Sequence, residues 1–337
     1  MGVGLDIGSK TIKIVELARE GSGFKLRGSG VIGYAGNPPE HAQDDKELSQ
    51  LAQVIKKLHK EANISSKNVV VALPEPQVFT RSIKFPSLND QEVASAVKWE
   101  AEQYIPIPIN EAVVQHQILE RRENSTPPEV LVLLVAAPRI LVEKYLKVVE
   151  MAGLNVIAIE TELMALVRSL SSPDSTVLIV DFGARSTDIA IAKNSQLAFT
   201  RSIPTAGEAF TRAVAQSLGV QLSQAEEYKR AYGFSESQLE GKIKGALDPV
   251  FSIVNEEIRK SIHFYQAEEK GDTPKSVVVS GGSSGLPEMI SVMTKLLGLE
   301  VVIGNPFSKV QVDPEVAKAV APYAPLYPIA VGLAMRG

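Results

Sequence analysis

Cysteine is absent from the 337-residue chain. That excludes disulfide frameworks, iron–sulfur ligation, thiolate zinc sites and cysteine nucleophiles. Histidine is scarce. His41, His59, His116 and His263 are scattered without paired spacing, so a histidine metal cluster is not expected. An excess of basic residues is also missing. Lys+Arg number 35 against 39 Asp+Glu, a net charge of -4, whereas a generic nucleic-acid or anionic-membrane binder carries the opposite balance. Long apolar runs are lacking too. The longest, Val130 to Ala137, falls far short of the ~20 residues a spanning helix needs. The opening residues Met1-Gly2-Val3-Gly4-Leu5-Asp6 have neither the basic region nor the apolar stretch of a secretory signal. A soluble, cytoplasmic chain is expected.

What is present is enough length for two domains or one two-lobed unit, at ~100–200 residues per domain. Gly2–Ile7, Thr11–Ala18 and Phe24–Tyr34 read as strands, and Leu48, Leu51, Ala52, Ile55 and Leu58 share one helical face. Residues 76–152 read as a separate β-α-β-β-α unit. From 173 the pattern of strands followed by a helix begins again. Residues 221–269 read as wholly helical, with Asp248-Pro249 starting the longest helix. A buried strand, Ser276–Val279, runs into Gly281-Gly282, and helices over 286–297 and 327–335 complete the chain.

The halves share an internal echo. Asp6-Ile7-Gly8-Ser9-Lys10-Thr11 returns as Asp181-Phe182-Gly183-Ala184-Arg185-Ser186, with acid, glycine, base and hydroxyl in the same order. Each copy lies between two strands and so forms a tight hairpin. Such a turn gathers backbone N–H groups and small side chains on one side, which makes an anion nest suited to phosphate. Asp6 and Asp181 would repel that phosphate unless a divalent cation lay between, and Mg²⁺ suits because it takes few carboxylates and keeps most of its waters. One Asp-x-Gly is common in ordinary turns; two at matching places in similar halves favour a shared polyphosphate. Two further segments carry possible contacts. The strand–glycine–helix junction Gly281-Gly282-Ser283 with Leu286 allows close approach of a flat ring or ribose, although alone it reads as a loop. Glu226 and Lys229 share a helix face, and alone they read as a solvated pair.

Several apparent motifs fail on context. Gly28-Ser29-Gly30-Val31-Ile32-Gly33 spells a dinucleotide fingerprint but does not open a helix. Gly281 to Gly285 spells G-x-S-x-G, yet no histidine follows His263 to complete a hydrolase triad. Tyr104 shares the apolar face of its helix and is expected in the core. Trp99 lies off that face and is left open as a partner anchor.

Taken in order, these elements resemble the actin/Hsp70/FtsA ATPase superfamily: Asp-x-Gly near the N-terminus, Asp181-x-Gly183-x-x-x-Thr187-Asp188, Ala225-Glu226-x-x-Lys229, and the strand ending in Gly281-Gly282. Within that superfamily the chain resembles the PilM family of type IV pilus assembly proteins over essentially its whole length. The marks are Gly4 to Lys13, Ala101-Glu102-Gln103-Tyr104-Ile105-Pro106 and Ala330 to Arg336. The resemblance implies an α/β, actin-like two-lobed ATPase fold of duplicated ribonuclease H-like domains with an inserted β-α-β-β-α subdomain, 1C. It implies subdomain 1A over 1–75, 153–172 and 313–337, subdomain 1C over 76–152, subdomain 2A over 173–220 and 270–312, and subdomain 2B over 221–269. ATP and Mg²⁺ are the implied cofactors. The phosphates would be held by Asp6, Gly8, Ser9, Lys10, Thr11, Gly183, Ala184, Arg185, Ser186 and Thr187. Adenosine would lie against Glu226, Lys229, Gly281, Gly282, Ser283 and Leu286, with the metal at Asp6 and Asp181, directly or through water. Glu160 is a weak candidate for the polar residue near the γ-phosphate, and a helix cap competes with that role. No residue is placed as a water-activating base, so ATP turnover is expected to be slow or absent.

The implied partner is the cytoplasmic tail of a PilN-like inner-membrane protein, docked on 76–152 and adjoining 1A, with self-association left open. The protein would then lie in the cytoplasm at the inner membrane through that partner. Two alternatives compete. A sugar-type kinase on the same superfold needs a catalytic acid, for which only Asp188 is near. An FtsA-like division protein predicts a basic amphipathic extension after residue 335, where none is found.

Overall fold

The computed structural model describes residues 1–267 and 272–337. The boundary expected between 221–269 and 270–312 lies outside the described residues. The chain runs β1 (Gly2–Ile7), β2 (Thr11–Glu20), β3 (Gly23–Gly33), α1 (Asp45–Glu61), β4 (Asn68–Leu73), β5 (Phe79–Pro86), α2 (Asp90–Tyr104), β6 (Ala112–Arg122), β7 (Glu129–Pro138), α3 (Arg139–Met151), β8 (Asn155–Thr161) and α4 (Glu162–Leu170). It continues through β9 (Thr176–Phe182), β10 (Thr187–Lys193), β11 (Gln196–Ile203), α5 (Gly207–Leu218), α6 (Leu222–Tyr232), α7 (Lys242–Ala267), β12 (Ser276–Ser280), α8 (Met289–Leu297) and β13 (Glu300–Ile303). β14 (Val310–Gln311), α9 (Pro314–Val320) and α10 (Pro328–Ala334) close it.

The two large sheets have one topology. The first is ordered β14-β3-β2-β1-β4-β8 and the second β11-β10-β9-β12-β13. In each, an antiparallel meander of three strands meets a parallel neighbour, β4 beside β1 and β12 beside β9. The carboxyl ends of β1 and β9 therefore lie where strand direction switches, the usual place for a ligand in an open α/β sheet. The echoed Asp-x-Gly segments sit there.

β5, β7 and β6 make a third sheet, which packs with α2 around Ile83, Phe85, Val93, Val97, Ala101, Val130, Val132 and Leu134. α2 starts with a complete capping box, Asn89 with Glu92. Tyr104 packs against this core with the Arg81 guanidinium 4.0 Å over its ring, and Trp99 is exposed. α3 buries Leu141, Tyr145, Val148 and Val149 with α1 in the core of the first lobe. Leu119, Leu131, Leu133 and Val135 of the inserted sheet pack in a cluster with Ala190 and Leu197 of the second lobe and Leu163 and Leu166 of the first.

Two of the three marked segments, Gly4 to Lys13 and Ala330 to Arg336, are the two halves of one contact. α10 is buried throughout and lies on β1 and α4. A Cβ on Gly4 would stand 2.0 Å from the Ala330 carbonyl oxygen, and one on Gly332 would stand 1.9 Å from that of Ala165. Only glycine permits this approach. Two of the three glycines of the failed dinucleotide motif serve a similar purpose in β3, where a Cβ on Gly28 would meet the Ala62 carbonyl oxygen at 2.7 Å and one on Gly30 the Leu58 side chain at 2.8 Å.

Three sequence expectations need correction. Residues 221–269 are not continuously helical: α6 ends at Gly233, whose φ of +48° places it against the Pro287 backbone, and a short 3-10 turn at Leu239–Gly241 precedes α7. The long helix also begins before Pro249, at Lys242. Proline there lacks an N–H to give, and the Lys244–Asp248 contact at 2.6 Å spans that turn. The chain has rejoined the first sheet by Val310, earlier than the expected 313. Among the described residues no single helix is long and apolar enough to cross a membrane.

Candidate functional site between the lobes

Both echoed turns close in the same way. Gly8 N–H donates to the Thr11 carbonyl at 3.1 Å, and Gly183 N–H donates to that of Ser186 at 3.0 Å. A Cβ on Gly183 would lie 2.8 Å from the Ser186 oxygen, so the second turn requires glycine. Phe182, beside it, packs on Phe251 of α7, which also meets Phe210 and Phe234. This aromatic cluster holds the end of β9 in place.

The turns face each other across the cleft. Lys10 of the first reaches Glu208 Oε1 of the second lobe at 3.0 Å, and Arg185 Nε lies 3.8 Å from the same oxygen. Glu208 stands in the first turn of α5, which is tied to the second glycine turn. Gly207 N–H donates to the Gly183 carbonyl (3.2 Å) and Glu208 N–H to that of Ala184 (2.8 Å). A third turn joins them. Gly281 has a φ of +84°, with Phe182 backbone so close that a Cβ would stand 2.4 Å from its oxygen, and Ser283 N–H donates to that oxygen at 3.3 Å. Ser283 and Leu286 are buried in the same loop, and Gly282 lies near Leu326.

Acidic groups converge beneath the turns. Asp6 is buried at the end of β1. Lys13, opposite it in the β1–β2 register, lies 3.0 Å from Asp6 Oδ2 but is not aligned to donate a hydrogen bond, so that oxygen has no donor. Asp181 Oδ1 accepts from Ser280 Oγ at 2.5 Å. Burial raises the Asp181 pKa, with Asp6 adding to the rise, against Ser280 and Lys13. Asp188 pairs with Asp181 across β9–β10 and accepts from Ser186 Oγ at 2.7 Å, and its Oδ1 has no donor. Burial pushes Asp188 up to about 7.

Two further acids join this group from the first lobe, at the ends of the parallel neighbours β4 and β8. Glu75 is buried, with Oε2 lacking a donor, and burial followed by repulsion from Asp188 pushes it up to about 8. Glu162 opens α4 and accepts from Glu75 N–H at 3.1 Å. Burial, then Asp188, Asp6 and Asp181, raise it well above the ordinary carboxylate range. Among the described residues, no three acidic or histidine side chains stand close enough to hold a metal ion by themselves.

Several expected site residues have other employment. Glu160 is buried and held by Arg168 at 2.5 and 2.8 Å and by Arg336 at 2.8 Å, fastening the end of the chain to α4; it does not face the phosphate turns, and Glu162 does. Thr187 is fully buried, with its hydroxyl donating to the Thr205 carbonyl at 2.7 Å, which shapes the connection into α5. Lys229 is not part of a solvated pair. Its ammonium is buried and gives its three protons to the Gly207 carbonyl (3.1 Å), Thr211 Oγ1 (2.9 Å) and Glu226 Oε2 (2.6 Å), bolting α6 to the start of α5. Glu226 also accepts from Thr211 and Arg230; these bonds overcome its desolvation and lower it to about 2. Glu226 is half-buried and keeps acceptor capacity. Ser9 and Thr11 are half-buried and Lys10 exposed at the first turn; Gly183, Ala184, Arg185 and Ser186 are half-buried at the second.

Sequence reading missed Lys13, Glu75, Glu162 and Glu208. Lys13 was open to detection, because a four-residue loop between Ile7 and Ile12 sets it opposite Asp6. The others come together only through the sheet order.

A duplicated sheet with facing glycine turns at its switch points is an actin-like fold. Among solved structures, an ethanolamine utilization protein EutJ from Carboxydothermus hydrogenoformans matches with a TM-score of 0.59 at 18% identity, over 100% of this chain and 89% of that one. Cell division protein FtsA of Bacillus subtilis (strain 168) is 24% identical over 247 residues, 61% of this chain and 54% of its own length. FtsA of Streptococcus pneumoniae (serotype 2, strain D39) is 24% identical over 348 residues, 90% and 75%. The chain thus spans about half the length of the Bacillus relative. More specifically, the type IV pilus assembly protein PilM model matches residues 4–337, and the chain belongs to that family. A solved PilM–PilN type IV pilus biogenesis complex matches at a TM-score of 0.85 and 31% identity, covering 99% of this chain and 98% of that one.

Proposed function

We propose that this protein binds ATP with Mg²⁺ between its lobes and docks the N-terminal cytoplasmic tail of a PilN-like inner-membrane protein on the 76–152 unit and adjoining first lobe. The observation that carries the nucleotide reading is the meeting of the Gly8 and Gly183 turns, with Lys10 and Arg185 converging on Glu208. The site also fits the cofactor. Asp6 Oδ2, Asp188 Oδ1 and Glu75 Oε2 are buried acceptors without donors, in a cluster of carboxylates that has Lys13 as its near cation. Such a cluster favours a divalent cation, and the absence of a direct three-ligand cage fits Mg²⁺ held through its own waters. The turn residues Ser9, Lys10, Thr11, Ala184, Arg185 and Ser186 would hold phosphate oxygens. Gly281, Gly282, Ser283, Leu286 and Glu226 would flank the nucleoside. Bound Mg–ATP supplies a polyanion with its counter-ion, which bridges the lobes.

Docking of the tail rests on membership of the PilM family and on the likeness to the PilM–PilN complex. A depression of about 230 Å³ between α1 and α3, lined by Leu48, Ile140, Lys144 and Lys147, lies at the junction where such a tail would dock. Through this partner the protein would sit at the inner membrane.

Calorimetric titration tests both parts, with Mg–ATP and a synthetic PilN-like tail peptide added separately and then together. Each is expected to bind, and any coupling between them must be reciprocal. Asp181→Ala is expected to weaken Mg–ATP binding at least ten-fold, about 1.4 kcal/mol, while leaving peptide binding intact. Equal Mg–ATP affinity in wild type and variant would reject the assigned cleft.

A further inference from the structure

The carboxylate of Glu208 stands between the two turns assigned to phosphate. Oε1 is 3.0 Å from Lys10 Nζ and 3.8 Å from Arg185 Nε, and Oε2 is 3.7 Å from Arg212 one helical turn along α5. Lys10 belongs to the first lobe; Glu208, Arg185 and Arg212 belong to the second. The ion pair therefore spans the cleft at its mouth. The backbone of Glu208 is fixed as well, since its N–H donates to the Ala184 carbonyl at 2.8 Å. The anchored backbone holds the side chain within reach of both turns.

We propose that Glu208 is an internal stand-in for phosphate. Its single negative charge draws Lys10 and Arg185 together and latches the cleft when no nucleotide is bound. The inference rests on the nucleotide assignment for its second half. An incoming polyphosphate carries more negative charge than one carboxylate, so it takes Lys10 and Arg185 and repels Glu208. The displaced carboxylate has a resting place already at hand on Arg212, an (i, i+4) neighbour on the same helix. Glu208 thus lowers nucleotide affinity, and lowers it most for the most highly charged ligand, which has to displace the carboxylate and meets its repulsion.

The absence of cysteine makes the test direct. Gln53→Cys on α1 and Glu256→Cys on α7 place one spin label on each lobe, both at exposed positions. Pulsed dipolar spectroscopy then reads the interlobe distance without nucleotide. The wild-type background should give one narrow distribution, and both Glu208→Gln and Lys10→Met should broaden it and move it to longer distance. In Mg–ATP titrations the same two variants should move in opposite directions. Glu208→Gln binds tighter by about five-fold, the upper range for a partly exposed ion pair, whereas Lys10→Met binds more weakly. The gain in Glu208→Gln should be smaller for AMP than for ATP. Unchanged distances in both variants would overturn the latch, as would Glu208→Gln binding ATP no tighter than wild type. If no form of the protein binds nucleotide, the cleft assignment fails, and the distances still decide whether the latch exists.

Discussion

The two glycine hairpins share a backbone and differ in charge. Both start Asp-x-Gly, and both close with a glycine N–H on a carbonyl of the same turn. The strand register then places Lys13 opposite Asp6 in the first and Asp188 opposite Asp181 in the second. The first hairpin carries its own counter-ion inside the protein. The second faces acid with acid, and hydroxyls take the place of a cation: Ser280 donates to Asp181, and Ser186 donates to Asp188. A duplicated scaffold has thus become chemically one-sided. The second hairpin is the one without a buried counter-ion opposite its aspartate, and it is the one we expect to lean on a bound cation.

The largest effect should come from removing the internal counter-ion. Asp6 and Lys13 are both buried, so Lys13→Met leaves a buried carboxylate without its cation. Breaking one side of such a pair typically costs about 3–5 kcal/mol. Chemical denaturation should find a loss of that size, and Asp6→Asn combined with Lys13→Met should recover most of it. A loss below about 1 kcal/mol, the scale of exposed pairs, would mean that water reaches Asp6 and that the two hairpins are less different than their contacts indicate.

The acid-facing hairpin predicts a pH dependence instead. Asp188 titrates at about 7 in the folded protein and Glu75 at about 8, both above ordinary carboxylates. Their unfolded counterparts lose protons first, near pH ~4. Between those limits the folded state binds more protons, so stability falls as pH rises from ~4 to about 7 for Asp188 and to about 8 for Glu75. Asp188→Asn removes the first contribution. With chelator present, urea unfolding at pH 5 and pH 8 should differ less in this variant than in wild type, by on the order of 2 kcal/mol. An equal difference in both would place the pH dependence elsewhere.

The likeness of the two halves is legible in the sequence, and, Lys13 apart, their difference in charge is not. The echo of Asp6-x-Gly8 in Asp181-x-Gly183 marked both turns, and strand and helix periodicity gave the duplicated halves and the inserted unit. What the sequence hides is set by sheet order. Glu75 and Glu162 are far apart along the chain and meet because β4 and β8 are parallel neighbours, with Leu73 paired to Thr161. Glu160 is singled out by family resemblance alone, and alternation along β8 turns it toward Arg168 and Arg336. Lys229 reads as exposed from its helix alone, and becomes buried because α5 lies against it. Lys13 needed only the hairpin register, which follows from loop length.

The smallest effect concerns the residue beside each aspartate on the parallel neighbour strand. In the second lobe this is Ser280, paired in register with Asp181. In the first lobe the matching place is Ala72, one step beyond Val71, which pairs with Leu5. Alanine suffices there because Lys13 already balances Asp6; serine is needed beside Asp181 because Asp188 adds negative charge. Ser280→Ala should therefore cost about 1–2 kcal/mol, between the usual scales for a neutral hydrogen bond and for one to a charged group. The loss should grow as pH rises through the raised pKa of Asp181, since the bond is strongest to the ionised carboxylate and burial shifts that titration upward. An Ala72→Ser change on the other side should bring no matching gain. If the Ser280→Ala loss did not change with pH, Ser280 would be packing against its neighbours and not standing in for the missing lysine.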